Sequence, residues 1–403
     1  MTENVKIEDE KGDSSMKKIV IVMLLILMLL EGCSSTESAE PIENSVNNST
    51  PEPTATPTPI PTPTPDRFDV VDAATAQEYV NQMGFGWNLG NSLDSYNCTW
   101  LSDHMAYETA WGNPKVVQKL ITYIKSEGFD TIRIPVSWED HLESDGTIKA
   151  DWMDRVQEVV DWCVEEDLFI ILNIHHEGDW LLKASTDYEG TMELYKKIWN
   201  QIAGEFGDYN EKLIFESMNE IGFDDLGTEK DCELISKINA EFVELIRNSG
   251  KRNGERYLLL AGYWTDIDRT CTDEYTVPED DRIMVSVHYY SPSTFAIADK
   301  TSTWGYRETW GTEEDFKEMK NLFEKLKKKF IDNGIPVIVG EYGAAVKDKD
   351  EASRILWFES VAKSCVEYGC CPVMWDNGEV INRYAYTWKT EELGEVMRSL
   401  MSE

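Results

Sequence analysis

Two glutamates, 121 positions apart and each closing a short apolar run, are the residues of this chain best placed to do chemistry. Glu220 ends Leu213-Ile-Phe-Glu-Ser-Met-Asn-Glu220, and Glu341 ends Pro336-Val-Ile-Val-Gly-Glu341. Glycosidic bonds are commonly broken by a carboxylic acid that protonates the leaving oxygen and a carboxylate on the other face of the sugar. Two acids carried by two buried strands to one rim of a barrel supply that pair. The dipeptides alone carry no signal: Asn210-Glu211 sits in a polar turn, and Gly204-Glu205, Gly254-Glu255 and Gly394-Glu395 recur in ordinary settings. The apolar strand ahead of Glu220 and Glu341 sets them apart.

The elements that position them repeat from about residue 70: a short apolar strand, a polar loop, then an amphipathic helix. Strands are expected near 84–89, 129–135, 168–174, 213–218, 257–262, 283–289, 336–340 and 372–375. Phe169-Ile-Ile-Leu172 and Tyr257-Leu-Leu-Leu260 are apolar throughout, as parallel strands covered on both faces are. Between residues 313 and 333, Phe316, Met319, Leu322, Phe323, Leu326 and Phe330 recur at three- and four-residue steps among Glu and Lys, one buried helical stripe. Val156, Val159, Val160 and Cys163 do the same in an earlier helix. Eight such units predict an α/β fold, a (β/α)8 TIM barrel. A doubly wound open sheet is disfavoured, because Gly84-Phe-Gly-Trp-Asn-Leu-Gly90 does not space its glycines as a phosphate loop.

Barrel enzymes keep their chemistry at the C-terminal ends of the strands. Those ends carry Asn88-Leu-Gly-Asn91, Arg133, His175-His176, Asn219-Glu220, His288-Tyr289-Tyr290, Glu341 and Trp375-Asp376-Asn377, with three of the five histidines among them. Arg133 is expected to pair with Glu341 and hold it ionised, as a nucleophile must be. Strand alternation sends His175 and His176 to opposite faces, which favours His175 for the mouth. No metal is expected, since adjacent histidines on a strand diverge and no Asp or Cys completes a ligand set with His288. Trp111, Trp138 and Trp180 are candidate platforms for sugar rings along a cleft.

Together, Gly86-Trp-Asn-Leu-Gly-Asn-Ser-Leu-Asp94, Glu108-Thr-Ala-Trp-Gly-Asn-Pro114, Ile132-Arg-Ile-Pro-Val-Ser-Trp138, Asn173-Ile-His-His176, Met218-Asn-Glu220, Val287-His-Tyr-Tyr290 and Gly340-Glu341 resemble the signature set of family 5 glycoside hydrolases. These are retaining endo-β-1,4-glucanases once called cellulase family A. The resemblance covers about residues 70 to 403. It implies Glu220 as acid/base and Glu341 as nucleophile, with Arg133, His175, Asn219, His288, Tyr290 and Trp375 in support; His176, Asn91, Trp111 and Trp180 complete the candidate substrate-binding set. It implies no cofactor, and a β-glucan as substrate, with xyloglucan, mixed-linkage glucan or mannan as alternatives. A non-catalytic sugar-binding barrel is the remaining reading. Ile221 stands where relatives usually have proline. From the pairing of the acids, the charge of Glu341 is expected to raise the pKa of Glu220.

A formal charge of −37 excludes nucleic acid and anionic membrane surfaces, which demand basic patches. A neutral polysaccharide has no such requirement. Met16-Lys17-Lys18, the apolar run Ile19 to Leu30 and then Gly32-Cys33 describe an export signal ending like a lipoprotein processing site, too short to span a bilayer comfortably. Residues 1–15 are too acidic to begin such a signal, which makes Met16 the expected start. Thus residues 1–33 are expected as leader and 34–66 as a stiff spacer ending in Thr56-Pro-Thr-Pro-Ile-Pro-Thr-Pro-Thr-Pro65. Residues 67–403 are the catalytic barrel, expected as a monomer held outside the cell or on its surface through Cys33. The other seven cysteines show no metal-site spacing and are expected mostly as buried thiols.

Overall fold

The computed structural model describes residues 71–223 and 226–402, so the expected leader and spacer lie outside the described residues. Eight parallel strands close into a barrel in chain order: β1 (Gly86–Asn88), β2 (Thr131–Ile134), β3 (Phe169–Asn173), β4 (Leu213–Glu216), β5 (Leu258–Ala261), β6 (Ile283–Tyr289), β7 (Val337–Tyr342) and β8 (Cys371–Met374), the last pairing with the first. Every expected strand is present; β1 to β5 are two or three residues shorter than the run that marks them, and β7 is one longer.

Period-two alternation divides each strand between two environments. Ile132, Ile170, Phe215, Val285 and Val339 pack outward against the helices. The helix Ala150–Glu165 buries Val156, Val159, Val160 and Cys163, as its spacing requires. The helix Glu313–Lys329 buries Met319, Leu322, Phe323 and Leu326, but Phe316 stays 42% exposed beside Trp310. Its start is fixed by a capping box between Thr312 and Asp315, and Gly334 closes the following turn in the left-handed region.

Inside the barrel, Phe169, Ile171, Ile214, Leu259, Met284, Ile338, Cys371 and Val373 form an apolar plug toward the N-terminal ends of the strands. The helix Ala76–Gln82, which the sequence pattern did not announce, seals that end with Tyr79, Val80 and the adjacent Met83. Tyr79 stacks on Tyr257 at 3.6 Å and donates its hydroxyl to the Glu211 carbonyl at 2.6 Å. One step further along the same strands the inward positions turn polar, with Asn88, Arg133, Asn173, Glu216, Ser286 and His288 all buried. All seven cysteines of the described residues are free, and all except Cys271 are buried.

Candidate active site

Arg133 is the centre from which the site is built. It points inward from β2 and is fully buried. Its Nε donates to Glu216 Oε2 at 2.7 Å, Nη1 to Asn88 Oδ1 at 3.0 Å and Glu341 Oε1 at 2.8 Å, and Nη2 to Asn219 Oδ1 at 2.8 Å. Burial works against its charge, but Glu216 and Glu341 outweigh burial and hold the guanidinium more firmly protonated than usual. Glu216 is itself fixed by Ser286 Oγ at 2.7 Å and Asn173 Nδ2 at 3.0 Å. Its signal was a lone charged residue at an inward step of an otherwise apolar strand, two after Ile214.

Glu341 reaches the axis through a break in register. Val287 pairs with Val339, but the next residue, His288, pairs with Glu341, so Gly340 is passed over. Such a bulge re-aims the side chain that follows it. Ile338 faces inward, and strict alternation would put Gly340 inward and Glu341 out. Gly340 is required because a Cβ there would come within 2.9 Å of Ser286 Oγ. Tyr290 donates its hydroxyl to Glu341 Oε2 at 2.8 Å.

Glu220 lies four residues beyond the end of β4. Its Oε1 is 2.7 Å from His288 Nδ1, and the same nitrogen is 3.5 Å from Glu341 Oε2. Glu220, His288 and Glu341 each offer an atom within 4.8 Å of the others, so the two carboxylates do face each other across a short gap. Their proton balance differs from the sequence expectation. Burial raises the Glu220 acid, but the hydrogen bond and charge of His288 more than offset this and lower it. Burial also raises Glu341, and there it prevails over the pull of His288 and Arg133. The correction comes from His288, which lies closer to Glu220 than to Glu341.

His175 Nε2 lies 3.3 Å from Asn219 Nδ2, and its ring is parallel to that of Trp375 with centroids 5.9 Å apart. Burial and its cationic neighbours keep this imidazole neutral well below its ordinary range. His176 does not diverge from it, because β3 has ended at Asn173 and strand alternation no longer applies. The two rings meet edge to face at 4.5 Å, and His176 continues toward Tyr96 at 4.6 Å and Trp111 at 5.7 Å. One ligand-type atom from each of Asp94, His175 and His176 falls within 4.8 Å of the others, but the Asp94 oxygens already accept from the Asn91 and Ser92 amides.

Beside Tyr290 and Trp375 opens a cavity of about 370 Å³ whose walls include Asn91, Trp111, Glu379 and Lys389. Asn91 Oδ1 on its wall is buried without a protein partner, as is His176 Nε2 beside Trp111. Two expected platforms are corrections. Trp180 is 6% exposed with its indole N–H committed to Glu177 Oε2 at 2.7 Å, and Trp138 is fully buried on the Asn173 carbonyl. The apolar ring of each fills core, and nothing in their spacing had marked which way they face. Asp376 organises the loop after β8, accepting from the backbone of Gly378 and Val380 and from Trp87 Nε1. Thr265, in the turn after β5, stands 3.5 Å from Glu220 Oε1 and the adjacent Trp264 packs on Gly222; neither was anticipated.

A family model described as Cellulase (glycosyl hydrolase family 5) matches residues 93–380. Endoglucanase A of Clostridium longisporum is 34% identical over 336 residues, which are 81% of this chain and 63% of that protein. The chain therefore spans somewhat less than two thirds of that relative, whereas it covers 83% of Endoglucanase A of Paenibacillus barcinonensis at 36% identity over 75% of its own length. Among solved structures, a GH5-4 broad specificity endoglucanase from an uncultured bovine rumen ciliate superposes with a TM-score of 0.78 at 33% identity, covering 82% of this chain and 99% of that one.

Proposed function

The chain belongs to glycosyl hydrolase family 5, and from that premise we propose that it hydrolyses internal β-1,4 linkages of a glucan with retention of configuration. The observation that carries the mechanism is the gap between the acids. Inverting glycosidases hold their carboxyl groups about 6.5–9.5 Å apart to admit water, and retaining ones about 5 Å. Oxygens of Glu220 and Glu341 within 4.8 Å leave room for a sugar carbon and no intervening water.

Glu341 attacks the anomeric carbon, positioned by Arg133 and Tyr290 through its two oxygens. Glu220 gives its proton to the departing glycosidic oxygen, then takes one from the water that releases the sugar from Glu341. His288 Nδ1, 2.7 Å from Glu220 Oε1, keeps that carboxyl aimed at the glycosidic oxygen through both steps. Asn219, held by Arg133, faces the position of the 2-hydroxyl, and Trp375 floors the sugar that becomes attached. The cavity beside Tyr290 and Trp375 receives the glycone side of the chain, and the unpartnered Asn91 Oδ1 on its wall suits a hydroxyl group.

Proton NMR during hydrolysis should show the β-anomer formed first; immediate α-product rejects the assignment. Reducing-sugar release from cellulose, mixed-linkage glucan, xyloglucan and mannan fixes the polymer. The small residues Gly343, Ala344 and Ala345 on the cavity wall favour a tolerant cleft that also admits a branched glucan. The leader and spacer read from the sequence support an enzyme displayed outside the cell, and labelling of Cys33 by a radioactive fatty acid, lost in Cys33→Ala, tests the lipid anchor.

A further inference from the structure

Two consecutive residues after β5 hold left-handed backbone, Trp264 (φ 53°, ψ 18°) and Thr265 (φ 47°). Neither is glycine, and for a β-branched residue this conformation is strained. Such strain persists only where the surroundings over-determine it. Here the Trp264 amide donates to the Ile221 carbonyl at 2.9 Å, the Thr265 amide to Gly262 at 3.0 Å, and Asp266 caps the next helical turn through the Arg269 amide. The Trp264 indole also lies so tightly on Gly222 that a Cβ there would stand 1.9 Å from Nε1. The turn is thus clamped to the segment Glu220 to Gly222.

What the strained turn delivers is one hydroxyl. Thr265 Oγ1 donates to the Trp264 carbonyl at 2.7 Å and stands 3.5 Å from Glu220 Oε1, the oxygen that His288 also contacts. The side chain is fully buried, so no bulk water competes for it. A hydroxyl carries a single proton and must choose between these two acceptors. While Glu220 is protonated the carbonyl is the better one. Once Glu220 has given its proton away, its carboxylate is, because hydrogen bonds to an ionised acceptor are roughly twice as strong.

We propose that Thr265 is a positioning residue for the acid/base, a donor that holds the Trp264 carbonyl while Glu220 carries its proton and turns onto Glu220 Oε1 whenever that carboxylate is ionised. The proposal rests on Glu220 being the acid/base. In the first half-reaction the Glu220 proton passes to the glycosidic oxygen, whose bond to the anomeric carbon breaks as Glu341 bonds to that carbon, and the Thr265 O–H rotates toward Glu220. In the second, Glu220 takes a proton from water, the hydroxide oxygen bonds to the anomeric carbon, Glu341 is released, and Thr265 returns to the carbonyl. Thr265 itself gains and loses nothing. A hydroxyl that merely closed its own turn would need neither burial against Glu220 nor left-handed backbone.

The test compares Thr265→Val and Thr265→Ser on two substrates, cellotetraose and 2,4-dinitrophenyl β-cellobioside, whose leaving group needs no proton. Val keeps the shape and removes the donor. It should lower kcat/KM on cellotetraose by about tenfold, spare the aryl glycoside within about twofold, and move the high-pH limb of kcat/KM upward, while Ser restores all three. Equal losses on both substrates with an unmoved limb, or no loss at all, overturn the proposal. Should Val fail to fold, Thr265→Ala carries the same readouts. Glu220→Ala is run in parallel: if it loses the aryl glycoside too, the acid/base assignment fails rather than the role of Thr265.

Discussion

The lower and upper halves of the barrel interior are made by the same eight strands, yet they solve opposite problems. Below, Phe169, Ile171, Ile214, Leu259 and Met284 close around Tyr79 in a dry plug that needs no particular partner for any atom. Above, one or two inward steps on, Arg133, Glu216, Asn219 and Glu341 form a network in which every group depends on a named neighbour. Burying those charges costs free energy that only mutual pairing offsets. The plug therefore supplies stability and tolerates exchange of one apolar side chain for another. The network fixes geometry, and removal of any one member exposes the others.

The comparison breaks most plainly if Glu341 can be lost without consequence. Glu341→Ala should cut turnover by at least about 10⁴-fold, with partial recovery in azide, which attacks in place of the missing carboxylate. Full activity in that variant would empty the upper half of its meaning. Arg133→Met comes next. It leaves Glu216 and Glu341 buried without their cation, and chemical denaturation should register a loss of about 3–5 kcal/mol together with the activity. Leu259→Ala addresses the lower half. It should cost a similar 2–5 kcal/mol, yet the folded fraction should retain its kcat. If Leu259→Ala slows catalysis as much as Arg133→Met does, the two halves are not separable.

The catalytic half was the more legible of the two, for a physical reason. Polar residues at the ends of apolar strands have no packing role to explain them, so Glu220, Glu341, Arg133, His288 and Tyr290 stood out against their surroundings. The barrel itself followed from the same runs. What did not show was anything that depends on direction rather than type. Trp138 and Trp180 look like Trp111 in the sequence, and only the fold turns the first two inward. His176 was misplaced because the strand ends two residues before His175. Trp264 and Thr265 hold a left-handed turn with residues that ordinarily avoid one, so no glycine or asparagine announced it. The helix Ala76–Gln82 is too short for its period to be seen beside the spacer before it.

The bulge at Gly340 is the seam where the strand pattern of the lower half gives way to the site. Gly340→Ala brings a methyl against Ser286 Oγ, one of the two hydrogen-bond partners that orient Glu216 besides Arg133. A kcat about ten- to a hundredfold lower, with far less than a hundredfold change in KM, is expected from a misdirected nucleophile. An unchanged kcat would show that Glu341 finds the axis without the bulge.

The smallest effect tests whether the rim of the upper half obeys the same rule of paired charges. Glu177 is buried between the loops after β2 and β3, accepting from the Trp138 amide and from Trp180 Nε1. Burial pushes its acid up to about 8, against the pull of those two donors. No cation among the described residues pairs with it, and burial keeps its proton in place. The sign then follows: between the ordinary carboxylate range and about pH 8 the folded protein binds a proton that the unfolded chain has released, so stability from this group falls as pH rises through that window. Glu177→Gln removes the titration. The melting temperatures at pH 5 and pH 8 should draw together by roughly 2–4 °C relative to the unmodified protein. If the gap does not narrow, Glu177 is ionised in the fold, and the rim tolerates an unpaired buried charge that the centre of the site does not.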